Sequence, residues 1–298
     1  MFEGFKAIFF NADFYVAIVR MSTPLLLAAV GSIFAERAGV VTFSMESMML
    51  MGTIGGIIGS GVTGNVWAGV LLAIIFGMLI GLVYAVWAVS IGAHQIVTSV
   101  GLNLGALGIT SILYGLTFLK GGEVIQEIIK VPTLPITKIP LLGDIPFIGP
   151  VFFNHYPLVY VGYVLVPLVW YILFRTTWGL KVRAVGEHPH AADTLGISVS
   201  KIRYQTLMIA GAMSGLSGAF LSICMLGSFQ ENMTAGRGFI AYTAIVFGKW
   251  QPIGVALGTL LFGAADALQL RIQAINPNIP YQFLIMLPYV VTLVALIS

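Results

Sequence analysis

Charge is scarce in this chain. Lys and Arg number 14 and Asp and Glu 11 among 298 residues, 8% in all, while hydrophobic residues make up 58%. Soluble domains carry roughly a quarter charged residues, so a soluble fold is excluded and the chain reads as an integral membrane protein. The single cysteine, Cys224, rules out a disulfide framework and a cysteine-based metal site; inside a predicted helix it reads as a small buried residue. There is no G-x-x-x-x-G-K-S/T phosphate loop, no metal-spaced His or Cys cluster and no nucleophile-and-base constellation. Accordingly no catalytic residue and no metal are expected, and the chain is not expected to hydrolyse ATP itself. The opening MFEGFKAIFFNADF lacks the charged start and small-residue cleavage site of a signal peptide and reads as a retained interfacial segment. The formal charge of +3 is what membrane topology alone requires, so nucleic acid is not an expected partner, whereas membrane lipid is.

What the chain has in abundance is long apolar runs. Segments near the ~20 residues that cross a bilayer fall at about 14–35, 40–60, 66–90, 94–119, 156–174, 206–226, 238–250, 253–271 and 280–298. They are long, unalternating and rich in Ala, Leu, Ile and Gly, so they are helices and not barrel strands. The expected fold is therefore all-α and polytopic, one membrane domain over 1–298 with about nine spans, of which 238–250 is short enough to be a half-helix or re-entrant segment. Residues 175–205 hold Arg175, Lys181, Arg183, Lys201 and Arg203 against only Glu187 and Asp193. Positive charge gathers on the cytoplasmic side, which places this loop inside. Counting spans outward then puts 120–155, whose three lysines balance three acids, outside the cytoplasm. The same count puts the N-terminus outside, and Glu36-Arg37-Ala38-Gly39, Lys249-Trp250 and the C-terminus inside.

Two patterns suggest how the spans are arranged. VWAGVLLAIIFG (66–77) and QPIGVALGTLLFG (251–263) both follow a polar turn bearing a Trp and carry Gly-Val and Phe-Gly at nearly equal spacing. Five spans separate them, so two four-span sets would be inverted about a central helix, an arrangement common in transporters; a chance match in Gly-rich helices is the alternative. Gly55–Gly59, Gly77–Gly81, Gly101–Gly105, Gly211–Gly215 and Gly254–Gly258 share the four-residue spacing that lets helix backbones approach closely in lipid.

Polar residues at membrane depth are costly unless they face protein or water. Glu46, between Ser44 and Ser47 at the start of the second span, either lines a polar path or bonds to the backbone of a helix that starts or breaks there. Gln95, Thr98, Ser99 and Asn103 share one helical face, a neutral stripe suited either to a hydroxyl-rich solute or to helix-to-helix bonding. Arg20, Asp266 and Arg271 are expected toward the outer side, snorkelling or pairing with one another. Within 175–205, Pro189 and Gly196 bracket a two-turn helix, Pro pre-organised for its first turn and Gly for its left-handed stop.

Residues 23–56, 94–111, 183–203 and 236–268 resemble, in order, the permease subunits of bacterial ABC importers for simple sugars and nucleosides, a group related to ribose and branched-chain amino-acid permeases. In that family a cytoplasmic Gly-Glu-x-Pro-x-Ala-Ala-x-x-x-Gly-Ile loop docks in a groove of the ATPase. The matching residues here are Gly186, Glu187, Pro189, Ala191, Ala192, Gly196 and Ile197, with Leu195 beside them. The chain departs from the family at the second span, where Thr42, Ser44 and Ser47 in VVTFSMES stand for the usual Asn, Gly and Gly while Glu46 matches. The resemblance implies a bacterial inner-membrane transport subunit that takes a nucleoside or simple sugar from an extracytoplasmic binding protein. It implies a second, homologous permease subunit and separate ATPase subunits holding the ATP and Mg. Ser44, Glu46, Ser47, Gln95, Ser99 and Asn103 are the candidate lining of the solute path. A branched-chain amino-acid permease and an ion-coupled secondary transporter are the alternatives.

Overall fold

The computed structural model describes residues 12–118, 131–140 and 142–275, together with Met286 and Val290. The described residues open with α1, Ala12–Arg37, which ends where Gly39 takes a φ of +78°, the left-handed conformation that stops a helix. Residues 38–44 are irregular. Helix α2, Met45–Thr63, stops at a left-handed Gly64, and Asn65 then caps α3, Val66–Ala85, by accepting from the Trp67 N–H at 3.0 Å. A wider π-helical stretch, Val86–Ser90, finishes that span, and α4, Gln95–Phe118, follows. Outside the long helices, β1 (Thr137–Lys138) pairs antiparallel with β2 (Asn154–His155) across the short α5, Ile148–Phe153. Then come α6, Pro157–Arg175; α7, Thr177–Glu187; α8, Pro189–Thr194; and α9, Val199–Ala219, prolonged by a π-helical stretch to Leu226. The described helices end with α10, Arg237–Phe247, and α11, Pro252–Ile275.

Six of these are long and apolar enough to span: Ala12–Arg37, Val66–Ser90, Gln95–Phe118, Pro157–Arg175, Val199–Leu226 and Pro252–Gln273. The three remaining expected spans stand differently. The run at 40–60 becomes a helix only from Met45. The run at 238–250 contracts to α10, whose 11 residues rise about 16 Å, half the ~30 Å apolar thickness of a bilayer. The run at 280–298 lies outside the described residues apart from Met286 and Val290, as do 1–11 and 119–130.

Helix α2 sits in the middle of the bundle, buried along nearly its whole length between α3, α4, α9 and α10. Glycine makes this possible. A Cβ on Gly52 would lie 2.3 Å from the carbonyl oxygen of Gly215, and one on Gly77 2.2 Å from that of Gly211, so α2, α3 and α9 touch backbone to backbone. The other four-residue glycine pairs serve the same end, except Gly101 and Gly105 on α4, which meet nothing within 4 Å.

The packing partners follow a two-fold exchange. Swapping α1 with α9, α2 with α10 and α3 with α11 maps the α3–α9 contact onto α11–α1, α2–α9 onto α10–α1 and α2–α3 onto α10–α11, while α1 and α9 pack on each other. An irregular segment precedes each member of the α2/α10 pair. This is the contact pattern an inverted repeat requires, and it extends the short sequence match at 66–77 and 251–263 to whole helices.

Candidate functional site

Two regions concentrate the polar chemistry. The first is the turn-and-loop end of the bundle. The stretch 175–205 is mostly helical: Thr176 caps α7 by accepting from the Gly179 N–H at 3.1 Å, and Ser198 caps α9 by accepting from the Lys201 N–H at 3.4 Å. Between them α8 begins with Pro189 in its first turn, and Gly196 takes a φ of +76° just past its end. Glu187, Ala191, Leu195 and Gly196 are exposed, Leu195 by 80%. Ala192 is buried and Gly186, Pro189 and Ile197 are half-buried, so the eight residues divide into an outward face and a packing face. The packing face is seated on the end of α1. A Cβ on Gly186 would stand 2.0 Å from the carbonyl oxygen of Arg37, and Arg203 Nε donates to the carbonyl of Ala38 at 3.3 Å. The guanidinium of Arg37 turns the other way, donating to the carbonyls of Trp250 at 3.2 Å and Lys249 at 3.5 Å, while Trp250 Nε1 donates to Glu36 at 3.4 Å. The turns at 36–39 and 249–250 and the loop at 175–205, which sequence counting places on one side, thus meet at one end. Arg175 and Arg183 lie over the rings of Trp170 and Phe174.

The second region lies at the start of α2. Segment 38–44 cannot bond to itself as a helix does, and neighbours supply its partners. Glu36 Oε1 accepts from the Thr42 N–H at 2.6 Å and the Thr42 hydroxyl at 2.8 Å, and Gln95 Oε1 accepts from the Val41 N–H at 2.9 Å. Asn103 Oδ1 accepts from the Ser47 N–H at 3.0 Å and its Nδ2 donates to the Phe43 carbonyl at 3.1 Å. The polar stripe of α4 therefore bonds helix to helix through Gln95 and Asn103. Ser44, Ser47 and Ser99 are fully buried.

Glu46 does the same for the other repeat. Its side chain is 7% exposed. Oε1 accepts from the Thr234 hydroxyl at 2.6 Å and the Gly236 N–H at 2.9 Å, and Oε2 accepts from the Gly238 N–H at 2.7 Å. The first N–H groups of a helix have no internal partner and carry its positive dipole end, so a carboxylate there is stabilising. The carboxylate thus bonds the start of α10, not of its own helix, through two backbone N–H groups and one hydroxyl, and it also borders a cleft. The donors were not foreseen, although the polar run SFQENMTAGRG before the short apolar segment signalled a broken helix. Beside Glu46 opens a cleft of about 290 Å³ with Val100, Asn103 and Leu104 on one wall and Asn232, Gly236 and Phe239 on the other. Of the six expected path residues, Glu46 and Asn103 reach this cleft; Ser44, Ser47, Gln95 and Ser99 do not line it.

Arg20 and Arg237, two of the remaining intramembrane charges, find ring and carbonyl partners. Arg20 lies 5.5 Å from the ring centre of Tyr156, and Arg237 donates to the carbonyls of Met233 and Thr234. Outside the spans, His155 is buried with Nε2 2.7 Å from the Val151 carbonyl oxygen, and burial, with the Arg20 charge, pushes its pKa below the ordinary histidine value. Among the described residues no group of three or more His, Cys, Asp or Glu side chains could hold a metal ion.

A buried helical bundle built as two repeats, broken at depth and carrying a helical loop seated at one end, is a multi-pass membrane permease. The chain belongs to the family described as branched-chain amino acid transport system / permease component, which matches residues 14–296. It is a transport subunit and not itself an enzyme. It is 38% identical to the putative glucose ABC transporter permease protein TsgC13 of Haloferax volcanii, with 91% of this chain and 82% of that protein covered. It is 39% identical to the guanosine ABC transporter permease protein NupQ of Bacillus subtilis (94% and 89% covered). The nucleoside ABC transporter permease protein NupC of Lactococcus lactis is 37% identical, with 92% and 88% covered. The solved structure of PsaBC from Streptococcus pneumoniae in complex with Fab shares the fold, with a TM-score of 0.54 at 15% identity over 98% of this chain and 94% of that one.

Proposed function

We propose that the chain is the transmembrane permease subunit of an ATP-driven ABC importer that moves a nucleoside or simple sugar. The observation that carries this reading is the similarity, across nearly the whole length, to permeases named for glucose, guanosine and nucleosides. In this reading 1–298 is one membrane domain in the bacterial cytoplasmic membrane, its N-terminus outside and C-terminus inside, with 120–155 outside and 175–205 facing the ATPase. Glu187, Ala191, Leu195 and Gly196 would meet the ATPase groove, while Gly186, Pro189, Ala192 and Ile197 fix the loop on the bundle. ATP and Mg belong to that partner. A second homologous permease would complete the solute path, and an extracytoplasmic binding protein would deliver solute. That protein would supply most of the affinity, so a path with few polar groups suits the task. An ion-coupled carrier is disfavoured because Glu46, its natural coupling group, is already committed to three donors. Uptake by the chain co-expressed with its ATPase, binding protein and partner permease tests the reading. Labelled guanosine uptake should be competed by nucleosides more than by ribose, and not by leucine. Competition by leucine alone would return the chain to amino-acid transport, and uptake driven by an ion gradient without ATPase would refute the importer.

A further inference from the structure

We propose that α10 is a hinged strut, and that Arg37 and Glu46 are the positioning residues that hold its two ends, so that movement of the 175–205 loop alters the width of the cleft at depth. The inference rests on the importer reading for what the loop receives and what the cleft passes.

The first support is backbone strain. Asn232 (φ +54°) and Ala235 (φ +45°) precede α10, and Lys249 (φ +52°) and Trp250 (φ +54°) follow it; Phe147 is the fifth positive-φ non-glycine residue among those described. For residues other than Asn such conformations are disfavoured and persist only where the surroundings hold them. Strain gathered at both ends of one short helix marks two joints with a stiff piece between them.

The second support is what holds the joints. Above, Glu46 takes the Thr234 hydroxyl and the Gly236 and Gly238 N–H groups; below, Arg37 takes the carbonyls of Lys249 and Trp250, and Glu36 takes the Trp250 indole. Both anchors flank the segment 38–44, whose backbone Glu36, Gln95 and Asn103 hold by hydrogen bonds at Thr42, Val41 and Phe43. The strut's inner face is small at Gly238, Ala241 and Ala244, with Ile245 the one large side chain buried in it. Ala241 and Ala244 are buried, and a Cβ on Gly248 would fall 2.3 Å from the Val255 nitrogen.

The third support is the connection at each end. Gly186 bears directly on the Arg37 carbonyl, so a displaced α7–α8 loop loads the lower anchor. At the upper end Asn232, Gly236 and Phe239 form one wall of the cleft and α4 the other, so a shift of the strut relative to α4 changes its width.

Hydrogen exchange read by mass spectrometry on the full chain in lipid nanodiscs tests the strut without any solute. Arg37→Lys keeps the charge but not the two-carbonyl grip, and it should speed exchange at 234–238, as Glu46→Gln does directly. An Arg37→Lys effect confined to 248–251 would overturn the proposal. In the reconstituted complex, both variants should bind ATPase normally while solute moved per ATP falls about tenfold, a coupling loss within the usual range for linked sites. Unchanged solute per ATP in both variants would also overturn it. Thr234→Val removes one bond and keeps both backbone bonds, so it serves if Glu46→Gln fails to fold, with a smaller effect in the same direction. An unmodified complex that moves no solute would sink the importer reading and leave the exchange test to decide the strut.

Discussion

His155 sits just before α6 with its ring buried and one nitrogen committed to the Val151 carbonyl. Because burial lowers its folded pKa, the neutral ring contributes stability that is present above the unfolded value of about 6.5 and is lost as pH falls through the folded value. Thermal unfolding in detergent should therefore show a midpoint that declines as pH drops below about 6.5, and His155→Gln should flatten that decline. Equal slopes in both proteins would show that other groups govern it. Glu46 shows how far single residues can be read from sequence. A carboxylate within an apolar run must have partners, and its position alone said so. Which partners was illegible: they lie 188 to 192 residues away, and two of the three are backbone N–H groups that every residue but proline offers. Gln95 and Asn103 were legible as a stripe, but nothing in their spacing distinguishes a solute's hydroxyl from the backbone of 41–47.

The loop at 175–205 was legible at its middle and not at its start. Pro189 and Gly196 bracket a real helix, yet the basic residues around Thr177–Glu187 conceal a second one. Its apolar residues Trp178, Val182 and Val185 recur at intervals of four and three, and the two valines are fully buried. The exposure of α8 gives a prediction at this scale. Because Glu187 and Leu195 are exposed and make no buried packing, replacing both (Glu187→Ala, Leu195→Ser) should leave the thermal midpoint within about 0.5 kcal/mol-equivalent of the parent, as for other surface changes. The same pair should abolish ATPase association in pull-down and uptake. Normal uptake in the pair would remove the loop from coupling. Helix α10 is the opposite case: hydropathy found it, but its upper end is set by a side chain from α2, so its length could not be read locally.

The bundle as a whole is two repeats pressed together through glycine, and this makes a symmetric prediction. A Cβ on Gly77 would lie 2.2 Å from the Gly211 carbonyl oxygen, and one on Gly263 2.7 Å from the Ser22 nitrogen, the α3–α9 and α11–α1 counterparts. Gly77→Leu and Gly263→Leu should each cost several kcal/mol, beyond the roughly 1–3 kcal/mol of ordinary overpacking, because the obstruction is backbone. Size-exclusion of fluorescent fusions in detergent should lose the monodisperse peak for both, and a normal peak for either would break the equivalence. Hydropathy found the long spans and the run at 40–60 that holds α2, yet α2 is surrounded by protein and its Gly, Ser and Thr residues with Glu46 keep it out of the six long apolar spans. The broken helix at α10 also bears on biogenesis. An element of 11 residues, preceded by irregular polar chain, cannot partition into lipid by its own hydrophobicity, and its end becomes satisfied only when Glu46 receives it. The N-terminal repeat leaves the ribosome first, so it is in place as a template when α10 arrives, and the order of synthesis becomes part of how the second repeat enters the membrane.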